Sequence, residues 1–307
     1  MSSSFEISYL PHNEIDFSKW DHCIDRASNS LIYGYSYYLD HMAKSWDALV
    51  LGNYDAVMPL TWNRKYGVYY LYQPFLTAQL GVFGNSINAD MIEEFLQSIP
   101  PRFRYWDFYL NYQNIFPLSQ YHLYQRKNLV LDLNASYEEL YNNYRENIQR
   151  NIRKAEQMGC HAVKDVKVNE VVDLAATQMK TYSKESEEDL QRFDKLYHQL
   201  SERQQARSYG VLSEKNELVA SCIFTFSGKR AYYILVGNHP DGKTVGASHF
   251  LIDAFIKDYA NKDMLLDFEG SDIRNLAFFY SGFGAKEENY AAIILNRLPF
   301  FLKWLKK

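Results

Sequence analysis

The chain runs through one order of elements twice, and this repetition limits its possible folds more than any other feature. In the first half, Trp46-Asp-Ala-Leu-Val-Leu51 leads through a Gly-Asn-Tyr-Asp turn into Ala56-Val-Met-Pro-Leu-Thr-Trp62. In the second, Ser208-Tyr-Gly-Val-Leu212 leads through Glu214-Lys-Asn216 into Leu218-Val-Ala-Ser-Cys-Ile-Phe-Thr-Phe226. Both read as hairpins, because turn-forming residues separate β-rich runs. A third strand follows in each half, at 67–72 and 230–236, and then a helix, at 89–99 and 246–260. Next come 105–109 and 265–269, which share an Asp-Phe pair. Each half is expected to close on a last strand, near 129–133 and 290–295. This order predicts an α+β fold of α/β type: two tandem domains, 1–128 and 129–307, each a mixed, mostly antiparallel sheet with packed helices. Repetition over that length indicates a duplicated domain rather than a solenoid.

A chain of 307 residues suffices for two such domains, each with its own core. The 26 Tyr and 19 Phe suit half-buried sheet faces, where a ring packs and a hydroxyl stays wet. A net charge of −4 supplies no broad basic field for DNA or for an anionic membrane. Cys23, Cys160 and Cys222 are scattered, with no Cys/His metal spacing, so no metal site is expected. The opening Met-Ser-Ser-Ser-Phe-Glu lacks the basic and apolar regions of a secretion signal, and no run is long enough to span a membrane. The expectation is a soluble cytoplasmic protein.

Between the halves, a linking helix is expected over 136–158. Ser136 and Glu139 have capping-box spacing, Leu140, Tyr144, Ile148 and Ile152 recur every fourth residue, and Gly159 is a natural stop. Arg145, Arg150, Arg153 and Lys154 form its other face, either a solvated surface or a basic rim for a phosphate-bearing ligand. Two more helices are expected at 170–182 and 190–205, joined by an exposed, mobile polar link at 183–189.

Two strand-to-helix elbows carry the chemistry. After the turn Asn238-His-Pro-Asp-Gly242 comes Lys243-Thr-Val-Gly-Ala-Ser248. A helix start leaves backbone N–H groups unpartnered, and its dipole favours an anion there. Gly246 allows a close backbone approach, Ala247 and Ser248 keep the first turn narrow, and Lys243 adds charge. Neither a Walker ending nor GxGxxG is present. The second elbow follows a central strand at 265–268, with Asp267, Glu269 and Asp272 where open sheets expose a ligand crevice. Tyr280 lies two turns into the next helix and can protonate a leaving thiolate; Asp267 or Glu269 can take a proton from an amine. Equally, Asp272 can simply cap the helix and Tyr280 can be a satisfied core tyrosine.

These residues resemble the acyl-CoA N-acyltransferase (GNAT) superfamily and, within it, the Fem-type group with two tandem acyltransferase-fold domains. Lys243-x-x-Gly246-x-Ser248 is similar to the carrier pyrophosphate loop Gln/Arg-x-x-Gly-x-Gly/Ala, departing from it at both ends. Asn275-x-Ala277-x-x-Tyr280-x-x-x-Gly284 resembles the superfamily's Asn…Ala…Tyr…Gly-Phe segment, with Ala285 in place of the phenylalanine. Asp267-Phe-Glu-Gly270 looks like the Fem-type elbow, and the segment 145–159 like that group's linking helix. The resemblance implies that Lys243, Val245, Gly246, Ala247, Ser248 and Asn275 hold the carrier and that Tyr280 is the general acid. The first half, whose helix entry reads Asn85-Ser-Ile-Asn-Ala-Asp90, has no phosphate loop; by analogy it is a non-catalytic copy that walls the acceptor cleft.

The leading expectation is an N-acyltransferase that moves an acyl or aminoacyl group from a phosphorylated carrier, with acyl-CoA the favoured donor, to a small-molecule or peptide-like amine held between the two domains. Backbone N–H groups of 231–236 polarise the carbonyl, and Cys222 is core rather than nucleophile. A Fem-type peptidyltransferase, using aminoacyl-tRNA on a peptidoglycan precursor, is the alternative. The long charged helical hairpin of some tRNA-dependent members is missing, which shifts weight toward acyl-CoA. A third reading, motivated by the degenerate loop ends, is a ligand-binding module without chemistry.

Overall fold

The computed structural model describes residues 6–179, 187–269 and 272–299. Residues 183–186 of the expected polar link, Gly270 of the second elbow and the first five residues lie outside the described residues. In chain order the strands are β1 (Ile7–Leu10), β2 (Trp46–Leu51), β3 (Ala56–Lys65), β4 (Val68–Tyr72), β5 (Phe83–Gly84), β6 (Phe103–Tyr109), β7 (Leu123–Arg126) and β8 (Leu129–Asp132). There follow β9 (His161–Lys164), β10 (Ala206–Leu212), β11 (Leu218–Ser227), β12 (Arg230–Asn238), β13 (Leu265–Asp267), β14 (Lys286–Glu287) and β15 (Tyr290–Asn296). The α-helices are α1 (Phe17–Arg26), α2 (Ser36–Met42), α3 (Ala89–Gln97), α4 (Tyr137–Asn142), α5 (Glu146–Gln157), α6 (Val168–Met179), α7 (Glu187–Glu202), α8 (Pro240–Val245), α9 (Ala247–Tyr259) and α10 (Arg274–Ser281).

The chain forms two units. One takes residues up to Arg126 and the segment from Asn289 onward; the other is Lys127–Glu288. The first sheet runs β1-β2-β3-β4-β6-β15-β7, with β5 on β3, and the second runs β14-β8-β13-β12-β11-β10-β9. Each has one parallel pair, β4 with β6 and β12 with β13, and is otherwise antiparallel. A parallel pair needs a crossover, and α3 supplies it in one unit, α8 and α9 in the other. The fold is thus the expected duplication of a mixed, mostly antiparallel sheet with helices.

The last strands differ from expectation. β8 is expected as the closing strand of the first half, although it falls just past the expected 128/129 boundary, and it pairs with β13 and β14 of the second sheet; β15 pairs with β6 and β7 of the first. Each sheet is therefore completed by a strand from the other half of the sequence. Order along the chain ranks the strands but leaves their long-range partners open. Both strands put apolar residues where they land: Leu129 and Leu131 in the second core, Ala291 and Ile293 in the first.

The linking helix also differs. Ser136 and Glu139 form the reciprocal capping box, but α4 ends at Asn142 and α5 starts only at Glu146. Arg145 is extended, with ψ 148°, and donates its N–H to the Gly282 carbonyl at 2.8 Å. Leu140, Tyr144, Ile148 and Ile152 are all buried despite the break, packing with Phe224, Leu251, Phe255 and Phe268 in one core. Burying a side chain of this size is worth about 1.5–3 kcal/mol, so the apolar face outweighs a few lost helical hydrogen bonds.

Candidate active site

Ladder pairing of β12 with β13 stops at Tyr232 opposite Asp267, while β12 runs on beside β11 to Asn238. Past Tyr232, therefore, no strand among the described residues runs along one edge of β12. On this free stretch the register with β11 shifts, and Leu235 takes φ +46°, unusual for a leucine. This is a β-bulge, which bends a strand and re-aims its groups.

At the end of β12 the chain enters the first elbow. The expected turn at 238–242 is instead the start of a short helix, α8, with Pro240 at its first position. Gly246, at φ +84°, both ends α8 and starts α9; its N–H donates to the Gly242 carbonyl. A Cβ at Gly246 would lie 2.6 Å from the Asn151 carbonyl oxygen, so the close approach that demands glycine is made to α5. The backbone amides of Ala247 and Ser248 make no hydrogen bond to another described residue. Val245 packs partly against the core, and neither it nor the fully buried Ala247 lines the pocket described below. Lys154 Nζ donates to the Thr244 carbonyl at 2.8 Å, placing one of the expected basic residues at the C-terminus of α8.

Tyr280 comes from α10. Its ring stacks on Phe268 and meets Tyr233 edge-on, at centroid distances of 4.7 and 6.1 Å. It is 8% exposed. Burial, and then the nearby charge of Glu269, push the phenol well above its usual range, so it remains a proton donor at neutral pH. A pocket of about 380 Å³ joins the two elbows. Gly242, Lys243, Gly246 and Ser248 line it from the first, Leu276, Phe279 and Tyr280 from the second; Tyr233, Val236 and Asn238 of β12, with Gln178 and His249, complete it.

Several expected residues stand elsewhere. Asn275 is exposed and absent from the lining; its neighbour Leu276 faces the pocket. Asp267 is 1% exposed and fully engaged. Arg230 donates to it at 2.6 Å, Asn128 Nδ2 at 3.0 Å and the Glu269 N–H at 2.8 Å. Arg230 also grips Glu288 at 2.7 and 2.9 Å. Asp267 is thus a buried structural anion rather than a base. Strand alternation explains it: Phe268 turns toward Tyr280, so its predecessor points to the opposite face. Glu269, at φ +55°, is the carboxylate that acts on Tyr280. Asp272 does not cap α10, whose N-cap is Ile273 without a side-chain cap; it accepts the Lys127 N–H at 3.1 Å. Cys222 is fully buried, and burial holds it as a thiol.

His249 also lines the pocket, a residue absent from the sequence-based site. It follows Gly246 by three positions, its ring lies edge-on to Phe279 at 4.8 Å, and burial lowers its pKa to about 4. It is neutral at pH 7. Its buried Nδ1 lies near the Gly246 carbonyl without a well-formed hydrogen bond. The spacing Gly-x-x-His at a helix start was the available signal; the burial was not visible.

Among the described residues no His, Cys, Asp or Glu group is arranged to hold a metal, and no helix is long and apolar enough to cross a membrane. Residues 142–273 match the family model described as an acetyltransferase (GNAT) domain. A search of curated protein sequences finds no match. Among solved structures, FemX superposes with a TM-score of 0.66 at 12% identity, covering 97% of this chain and 99% of that one. A conserved protein of unknown function from Bacteroides thetaiotaomicron gives 0.62 at 12% identity, covering 94% and 100%. A tandem GNAT protein from the clavulanic acid biosynthesis pathway gives 0.52 at 8% identity, covering 96% and 99%. Residues 142–273 thus resemble a GNAT acetyltransferase domain in sequence, and the chain has the fold of tandem, Fem-like GNAT structures.

Proposed function

We propose that the second unit transfers an acyl group from acyl-CoA to a small-molecule or peptide-like amine. The observation that carries this reading is a pocket lined by Gly246 and Ser248 from the first elbow and by Tyr280 from the second. The amides of Ala247 and Ser248, with Lys243, receive the carrier's phosphates at the start of α9. The open edge of β12 around the Leu235 bulge polarises the thioester carbonyl. The amine nitrogen attacks that carbon, the carbon–sulfur bond breaks and an amide forms. Tyr280 gives its proton to the departing thiolate, and Glu269 or water takes one from the amine. Positioning supplies much of the rate. In the first unit α3 is capped by Asn88, whose side chain accepts the Met91 N–H, and we read that unit as a copy without a donor site.

Calorimetry with coenzyme A, acetyl-CoA and longer acyl-CoAs tests the reading. Binding to at least one is expected; a protein that takes up none of them refutes it. A second reading keeps the chemistry and makes the donor an aminoacyl-tRNA. It is favoured by Arg145, Arg150, Arg153 and Lys154, all exposed along one helical segment. tRNA binding that weakens steeply with salt supports it, and no binding at low salt removes it.

A further inference from the structure

α6 packs unusually tightly against the end of β12. A Cβ at Gly237 would fall 2.7 Å from the Ala175 backbone nitrogen, so this strand position needs glycine for the helix to seat. With Ala175 seated there, Gln178 lies one turn further along α6, level with Asn238. The Asn238 N–H donates to Gln178 Oε1 at 2.7 Å. A backbone N–H can only donate, so this bond fixes which end of the amide is which: the oxygen is engaged and the NH₂ is what Gln178 can offer. Gln178 lines the pocket together with Asn238 and Tyr280. Asn238 is itself held by Ser248, whose hydroxyl donates to its Oδ1. A short chain of side-chain contacts thus links α6 to the first turn of α9.

We propose that Gln178 is a specificity-determining residue whose NH₂ takes a carbonyl oxygen of the bound acyl carrier. This rests on the acyl-CoA reading above. The amide is oriented in advance by the strand end, so little ordering cost remains when ligand arrives. A pocket wall bearing a donor here selects a ligand with an acceptor at that height and disfavours one presenting a donor.

Two substitutions separate the amide's two ends. Gln178→Glu keeps an acceptor for the Asn238 N–H and removes the donor; Gln178→Met removes both and adds no charge. Thermal unfolding first checks that each variant folds like wild type. Calorimetry with coenzyme A and acetyl-CoA, and the acetyl-CoA KM and kcat, then give the readout. The expected result is a loss of affinity of about fivefold or more in both variants, carried by KM rather than kcat. Loss already present with coenzyme A assigns the carbonyl to the carrier's own amides; loss with acetyl-CoA alone assigns it to the thioester. If Gln178→Glu binds like wild type, the residue only caps Asn238 and the proposal fails. If Gln178→Met binds like wild type, the effect of Gln178→Glu is charge alone and the proposal also fails. A wild-type protein that binds neither ligand overturns the acyl-CoA reading itself, and this proposal with it.

Discussion

Phe268 and Tyr280 stack with their ring planes 17° apart, so the residue just after β13 holds the phenol that closes the pocket. Tyr280→Phe keeps this stack and deletes only the hydroxyl. Turnover should fall by about 10²-fold or more, the usual worth of a general acid, with coenzyme A affinity nearly unchanged. The raised phenol pKa also means that the wild-type rate should show no loss from Tyr280 ionisation up to its ordinary value of 10.0. Steady-state rates of the two proteins across pH, beside calorimetry, check both statements; equal rates remove Tyr280 from the mechanism.

Asp267 predicts the opposite pattern. Asp267→Asn leaves the Arg230 charge buried with only Glu288 to balance it. Breaking one partner of a buried pair costs about 3 kcal/mol or more. Urea unfolding should register that loss, while kcat of the folded fraction stays near wild type. A collapse of kcat in a fully folded variant would return Asp267 to a catalytic part.

Two buried groups tilt stability in opposite directions with pH. His249 has a folded pKa of about 4 against 6.5, so its contribution is present above 6.5 and lost as pH falls through 4. Asp253, raised by burial from 3.8 to about 6, contributes below 3.8 and loses that contribution as pH rises through 6. Each effect is at most on the order of 3–3.5 kcal/mol. Asp253→Asn, which still offers Tyr137 an acceptor, should therefore gain stability relative to wild type as pH rises through this window. His249→Asn should lose stability relative to wild type over the same rise. Urea midpoints taken at about pH 4 and about pH 7 compare the slopes; parallel curves for all three proteins contradict the assignment.

Gly246→Ala should damage both fold and site. Alanine must adopt φ +84° and place its Cβ against the Asn151 carbonyl. The backbone strain alone is about 1–3 kcal/mol, before the clash is relieved. A lower thermal midpoint with weaker coenzyme A binding is expected, and wild-type values for both would show that the elbow tolerates a side chain.

Local signals were the legible ones. The hairpin turns, the capping box at Ser136 and Glu139, and the small residues after Gly246 all act within a few positions, and the structure has helix and strand ends there. The break before α5 was hidden because Leu140, Tyr144, Ile148 and Ile152 keep one spacing straight through it. At the break the Arg145 N–H is bonded to the Gly282 carbonyl, a partner far along the chain. Asp267 could have been read better: an alternating strand cannot aim it and Phe268 at the same place. His249 could not, since its neutrality comes from burial among Phe279, Phe283 and the α9 start. The exchanged strands were likewise invisible, because β8 and β15 are similar apolar runs whose partners are chosen across the chain.

The placement of β15 between β6 and β7 bears on biosynthesis. A nascent chain leaving the ribosome exposes both of those strands well before Tyr290–Asn296 has been made. For that interval each has an unfilled flank, open to any extended peptide nearby. The first sheet is therefore completed only once β15 has been made, and helpers that shield bare strand edges during translation should raise its yield.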